Sequence, residues 1–302
     1  MRKENKMLEI LSNTNRMAIE INTENVLKLL ELNILPIYIT KQVMKRQKIR
    51  MIRENKKMPE NGRVIIGKEE FVIEINSKKC IGKANRRYLI AHEVAHTMLY
   101  EIEKWPPRNM IVKISERKYE ETICDYLARK ILIPEETLKR EIIKEVREHT
   151  TYEKIKKIAN KYCVPWSQIV IKLVEDMRYI KKIIMIAGKK SDNDGWRVKW
   201  HAMPKMEGIY IPIGRRIGDK YYGPKIKGVI KEIIEKVKDG KEESIKEEIE
   251  IERIKDRYMS SIKAYKKNRK EKTLRLEVSK EIINKQIVIG EKEEKIMIAI
   301  EI

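Results

Sequence analysis

Phenylalanine occurs once in this 302-residue chain, at Phe71, and aromatic residues together make up only 6%. With so few rings, Ile, Leu, Val and Met must fill most of any core. The three cysteines, Cys80, Cys124 and Cys163, are odd in number, far apart and free of any Cys-x-x-Cys spacing. That excludes a disulfide framework and a cysteine-based zinc site, and makes a reducing cytoplasm the expected setting. No stretch approaches about 18 uninterrupted apolar residues, so no membrane-spanning helix and no membrane partner are expected. The opening "MRKENKMLEILSN" lacks the apolar centre of a signal peptide. Histidine is scarce too, with four in the whole chain.

What is present is apolar bulk and positive charge. Hydrophobic residues reach 42%, which rules out a disordered tail, and 302 residues suffice for two domains with real cores. Net charge is +22. Such an excess draws a protein toward polyanions, nucleic acid among them, although a lysine-rich solvated surface has the same composition. The densest basic run, "KQVMKRQKIRMIRENKK" (41–57), has eight basic residues and one acid, and reads as a basic helix followed by a strand.

Residues 1–34 carry helical apolar spacing that Pro36 ends. "GRVIIG" (62–67) and "FVIEIN" (71–76) read as a hairpin of short strands. "SERKYEETICDYLARKILIP" (115–134) reads as one helix capped by Ser115 and stopped by Pro134, which can begin the next. Residues 151–178 form a helix, a break at Cys163-Val164-Pro165 and a second helix. That outline fits a helix-turn-helix or an ordinary helical hairpin on a core. Beyond a boundary near 178–190 the texture changes. "KKIIMIAG", "GWRVKWHAMP", "GIYIPIG", "KTLRLEV", "KQIVIG" and "EKIMIAIEI" read as strands, and "KIKGVIKEIIEKVKDG" as a helix, giving a smaller mixed domain.

Half of the histidines fall in one short stretch, "ANRRYLIAHEVAHTMLY" (84–100). Leu89, Ile90, Val94 and Leu99 give it helical spacing. On a helix, His92 and His96 point the same way and can present two imidazoles to one metal ion. Glu93 projects beside them, where it can reach a metal-activated water without ligating. With so few histidines, His-Glu-x-x-His arises by chance in on the order of one chain in a hundred. Two neutral imidazoles and a carboxylate suit zinc, and manganese is accepted by the same ligand types. The third ligand is expected from "EETICD", where Glu121 and Asp125 share a helical face. One would be the ligand and the other the carboxylate that receives an imidazole N–H. Glu120 is the rival, but Cys124, not a carboxylate, lies four residues beyond it. A solvated acidic helix edge is the alternative reading of Glu121 and Asp125.

These motifs resemble the ImmA/IrrE-type zinc metallopeptidases. The family runs from a strand hairpin to Arg-x-Arg-Phe-Thr-x-Ala-His-Glu-x-x-His and then to Glu-x-x-Ala-Asn-x-Phe-Ala-x-x-Leu-Leu-x-Pro. This chain offers "RRYLIAHEVAH" at 86–96 and "ETICDYLARKILIP" at 121–134. Ala91, His92, Glu93, His96, Glu121, Ala128, Leu132 and Pro134 match directly. Tyr100 replaces a histidine common one turn past the motif, while Cys124, Asp125 and Leu127 replace Ala, Asn and Phe. The resemblance covers roughly residues 30–178 and implies an α+β fold. That fold would be a zincin-like metallopeptidase domain over residues 1–180, a small sheet with the two motif helices and a helical extension at about 135–178. A second α+β domain, residues 181–302, matches no part of the family. The resemblance further implies a zinc endopeptidase with His92, His96 and Glu121 as ligands and Glu93 as general base. Asp125 would partner His92, and Tyr88 and Tyr100 are candidates to stabilise the transition state. The family's substrates are DNA-binding helix-turn-helix repressors of stress or mobile-element operons. The competing expectation, carried by the charge, the basic runs at 41–57 and "AYKKNRKEKTLR" (264–275) and the helix-break-helix at 151–178, is a nucleic-acid-binding regulator or antitoxin-like module whose metal site has no catalytic role.

Overall fold

In the computed structural model the described residues are 8, 11–32, 34–103, 105–111, 113–142, 152–180, 182–189, 197–203, 244–250, 273–281 and 294–301. The architecture is mixed α+β. By internal contacts the chain divides into two compact units, Met1–Ile143 with Lys156–Lys172, and Lys144–Ile155 with Leu173–Ile302.

The first unit opens with α1 (Asn13–Lys28), whose Ser12 side chain accepts from the Asn15 amide. Ile19, Thr23 and Val26 make its buried stripe, spaced by four and three residues. The helix stops at Lys28, well before Pro36. α2 (Lys41–Arg46) is capped by Thr40, which accepts from Val43, and leads into β1 (Ile49–Glu54). β2 (Gly62–Ile66) and β3 (Phe71–Ile75) form the expected antiparallel hairpin. β1 adds to the far side of β3 in parallel, giving the order β1-β3-β2. Phe71, Ile73 and Ile75 point to one face of β3 and are buried there. Glu74 points to the other face and is buried too, because Arg53 of β1 and Arg63 of β2 lie directly opposite it on either side.

α3 (Lys83–Thr97) starts after Gly82, whose φ of 89° is costly for any residue with a Cβ. Its Arg87 is buried and donates to the Ile37, Tyr162 and Cys163 carbonyls. β4 (Tyr100–Glu101) and β5 (Arg108–Asn109) make a two-residue ribbon. The single helix expected from Ser115 is two: α4 (Ile114–Arg117) and α5 (Glu120–Leu132). Lys113, not Ser115, precedes the first of them, and Tyr119 stands at the break. α3 and α5 pack on each other. Each has small buried residues one turn apart, Ala91 and Ala95 on one, Cys124 and Ala128 on the other. Small side chains let helix axes approach closely. α6 (Glu135–Glu141) begins at Pro134. α7 (Tyr152–Tyr162), a turn with Cys163 at φ 49°, and α8 (Trp166–Ile171) follow, the last running into a π-helical turn, Lys172–Asp176.

The second unit contains β6 (Lys182–Lys189), β7 (Arg197–Ala202), β8 (Ser244–Glu250), β9 (Thr273–Glu281) and β10 (Glu294–Glu301). They form an antiparallel sheet ordered β7-β6-β10-β9-β8. β8, "SIKEEIE", is a strand that the sequence reading did not name. Its charged residues suit the sheet edge it occupies. The expected strands "GIYIPIG" and "KQIVIG", the helix "KIKGVIKEIIEKVKDG" and residues 264–272 of the second basic run lie outside the described residues. No helix among the described residues is long and apolar enough to cross a membrane.

Candidate metal centre

His92 and His96 lie one turn apart on α3, and Glu121 lies in the first turn of α5. The packing of these two helices brings the three together. His92 Nε2 is 3.1 Å from Glu121 Oε2 and 3.2 Å from His96 Nε2, and His96 Nε2 is 3.5 Å from Glu121 Oε1. Among the described residues these three are the group able to hold a metal ion, their ligand atoms all within 4.8 Å of one another. Tetrahedral coordination at zinc bond lengths separates adjacent ligand atoms by about 3.3 Å, so the spacing fits such an ion. The imidazoles are largely enclosed, at 12% and 16% side-chain exposure, whereas Glu121 is 76% exposed, so the site opens to solvent on the carboxylate side.

Asp125, one turn after Glu121, receives His92 Nδ1 at 2.9 Å. This contact turns the other nitrogen, Nε2, toward the centre. Burial pushes the His92 pKa down, but the Asp125 hydrogen bond and charge, with Glu93 and Glu121, outweigh it and raise the pKa overall. Asp125 is lowered overall. Burial opposes this, and the hydrogen bond and charge of His92 and the Tyr88 hydroxyl overcome it.

Glu93 is 4% exposed and follows His92 directly on the helix that carries both imidazoles. Burial raises its pKa, and the charges of His96 and His92 pull the other way. Its carboxylate packs against the backbone of Gly62 on edge strand β2. A Cβ placed on Gly62 would lie 2.3 Å from Glu93 Oε1. Only glycine leaves room for the carboxylate in this position.

Tyr88 donates its hydroxyl to Asp125 Oδ1 at 2.9 Å and also lies 3.2 Å from the Asp125 carbonyl. Burial drives its pKa far up. Tyr100 lies in β4 with its ring centroid 5.4 Å from that of Phe71, and burial and then Glu120 raise its pKa. Two residues that the sequence reading did not assign to the site also belong to it. Gly62 had no local signal. Glu120, set aside for want of a partner four residues on, places Oε1 3.4 Å from His96 Nδ1. Its nearest clue was its adjacency to Glu121.

No protein-family description matches the chain, and no curated protein does. A solved structure titled "Mycobacterium tuberculosis transcriptional regulator" is similar at 7% identity, covering 97% of this chain and 79% of its own, with a TM-score of 0.45. Likeness at that level carries no functional argument.

Proposed function

We propose that the first unit is a zinc-dependent endopeptidase of zincin-like architecture and ImmA/IrrE type. Its substrate would be a DNA-binding helix-turn-helix repressor in the cytoplasm. The observation that carries this reading is the convergence of His92 Nε2, His96 Nε2 and the Glu121 carboxylate from two helices, with Glu93 buried beside them. These three residues would hold the zinc. When bound, zinc supplies Lewis acidity that polarises a peptide carbonyl and makes water acidic enough to lose a proton near neutral pH. Glu93 accepts that proton and returns it to the nitrogen of the departing amine. Its buried setting raises its proton affinity, which suits both halves of that task. Asp125 keeps His92 in the tautomer that offers Nε2, and Tyr88 holds Asp125 in turn.

The test combines metal analysis with cleavage of a helix-turn-helix repressor encoded beside this chain. The wild type should carry close to one zinc per chain and cut the repressor. His96→Ala should lose most of the metal. Glu93→Gln should keep the zinc and stop cutting, and a Glu93→Gln variant that still cuts would refute the mechanism.

A second reading is favoured by one surface. Gln42, Lys45, Arg46, Lys48, Ile102 and Glu103 line an open groove of about 380 Å³ beside the basic α2–β1 segment. A nucleic-acid-binding regulator with a non-catalytic metal site would use such a groove for phosphates. In that case Glu93→Gln would change nothing, and binding to a DNA duplex would fall steeply with salt.

A further inference from the structure

We infer that Glu120 is a positioning residue for His96, orienting the second imidazole toward the metal as Asp125 orients the first; this rests on the metal-site reading above. The geometry separates the three carboxylates of α5 by the nitrogen each one meets. Glu121 faces both Nε2 atoms, at 3.1 and 3.5 Å. Asp125 faces His92 Nδ1 at 2.9 Å. Glu120 faces His96 Nδ1 at 3.4 Å. The two nitrogens of an imidazole point in divergent directions, so a carboxylate at Nδ1 cannot share an ion held at Nε2. Glu120 is thereby excluded as a substitute for Glu121, and the remaining task at that place is to accept a proton from the ring.

With an acceptor at each Nδ1, both rings carry their proton there and turn a lone pair inward. The centre then holds two nitrogen lone pairs and a carboxylate, with no proton between them. A cation is what relieves that crowding of acceptors. The setting of Glu120 differs from that of its neighbour in the sense this role needs. Its side chain is 24% exposed where Glu121 is 76% exposed. The Asn109 side chain, from the strand paired with Tyr100 in the β4–β5 ribbon, lies near enough to help lower the Glu120 pKa.

The experiment titrates zinc into the metal-free full chain against a chromophoric chelator, for wild type, Glu120→Ala and Glu120→Gln. The His96 ring is followed in the zinc-loaded proteins by long-range proton–nitrogen spectra. Glu120→Ala should bind zinc about tenfold more weakly and lose the protected Nδ1 proton signal of His96. Glu120→Gln keeps an acceptor oxygen at the same reach and should recover most of both. Because Glu120 also favours the first turn of α5 by its charge, the melting temperature of each metal-free variant is measured alongside. Equal zinc affinity in wild type and Glu120→Ala would overturn the inference and leave the metal site standing. Equal weakening in both variants with the His96 signal unchanged would also overturn it, since Glu120 would then act through helix stability alone. Absence of zinc uptake by the wild type would remove the metal-site reading itself.

Discussion

Glu74 offers the most quantitative test of how the sheet behind the site is held. The perturbation is Glu74→Gln, close to isosteric but uncharged. The carboxyl is 3% exposed, and its pKa falls from an ordinary 4.5 to about 2. The Asn55 hydrogen bond and then the Arg63 hydrogen bond lower it, burial opposes them, and Arg53 lowers it again. Asn55 reaches Oε2 at 3.0 Å, Arg63 reaches Oε2 at 2.6 Å and Arg53 reaches Oε1 at 2.7 Å. A carboxyl held that far below its unfolded value would contribute about 3 kcal/mol at neutral pH if unscreened, and solvent around the half-exposed arginines reduces that to about 1–2 kcal/mol. The arginines are half-exposed, so they stay hydrated when the charge is removed, and the loss in Glu74→Gln should not exceed that figure. The sign follows from linkage. A depressed carboxyl stabilises fully above about 4.5 and loses the contribution as pH falls toward 2. Urea unfolding followed by tryptophan fluorescence, at pH values from 7 to 3, should therefore show wild type and variant furthest apart at pH 7 and converging on the acid side. A difference that stays constant across that range would refute the assignment of Glu74 as the charged pivot of the sheet.

Zinc affinity should decline as pH drops through the raised pKa of His92, because only the neutral imidazole ligates; chelator competition from pH 8 to 6 measures this. Gly62→Ala should leave zinc binding within about twofold while cutting turnover by at least tenfold, since the added methyl displaces the Glu93 carboxylate but touches no ligand. Parallel metal and activity assays separate the two effects. Tyr162→Phe should stabilise the fold by about 1 kcal/mol, seen as a slightly higher melting temperature. The Tyr162 hydroxyl is buried with no hydrogen-bond partner among the described residues, and calorimetry would report the gain.

The parts of the site written within one helix were legible from sequence. The four-residue spacing of His92 and His96, and that of Glu121 and Asp125, fixes a shared face without knowledge of the partner helix. The hairpin was legible for the same reason, since two apolar runs flank a short polar turn. What sequence could not supply was the rotation of one element against another. Glu120 faces His96 only because α5 meets α3 at a particular phase. Gly62 matters only because β2 runs beside α3. β1 joins β3 in parallel across an intervening strand, a long-range pairing that no local pattern encodes. The break at Tyr119 lay inside a run of helix-forming residues, and the strand β8 lay inside a run of charges.

Arg87 sets a lower limit on how far this chain could be trimmed. Its guanidinium, on the same helix five residues before His92, is tied to Ile37 on one side of the motif region and to Tyr162 and Cys163 on the other. A peptide holding only residues 83–134 would contain every ligand in the correct order. It would lack all three carbonyls, so nothing would anchor the Arg87 guanidinium and, with it, the front of the ligand-bearing helix. A miniature meant to keep the ligand geometry has to begin before Ile37 and run through Cys163.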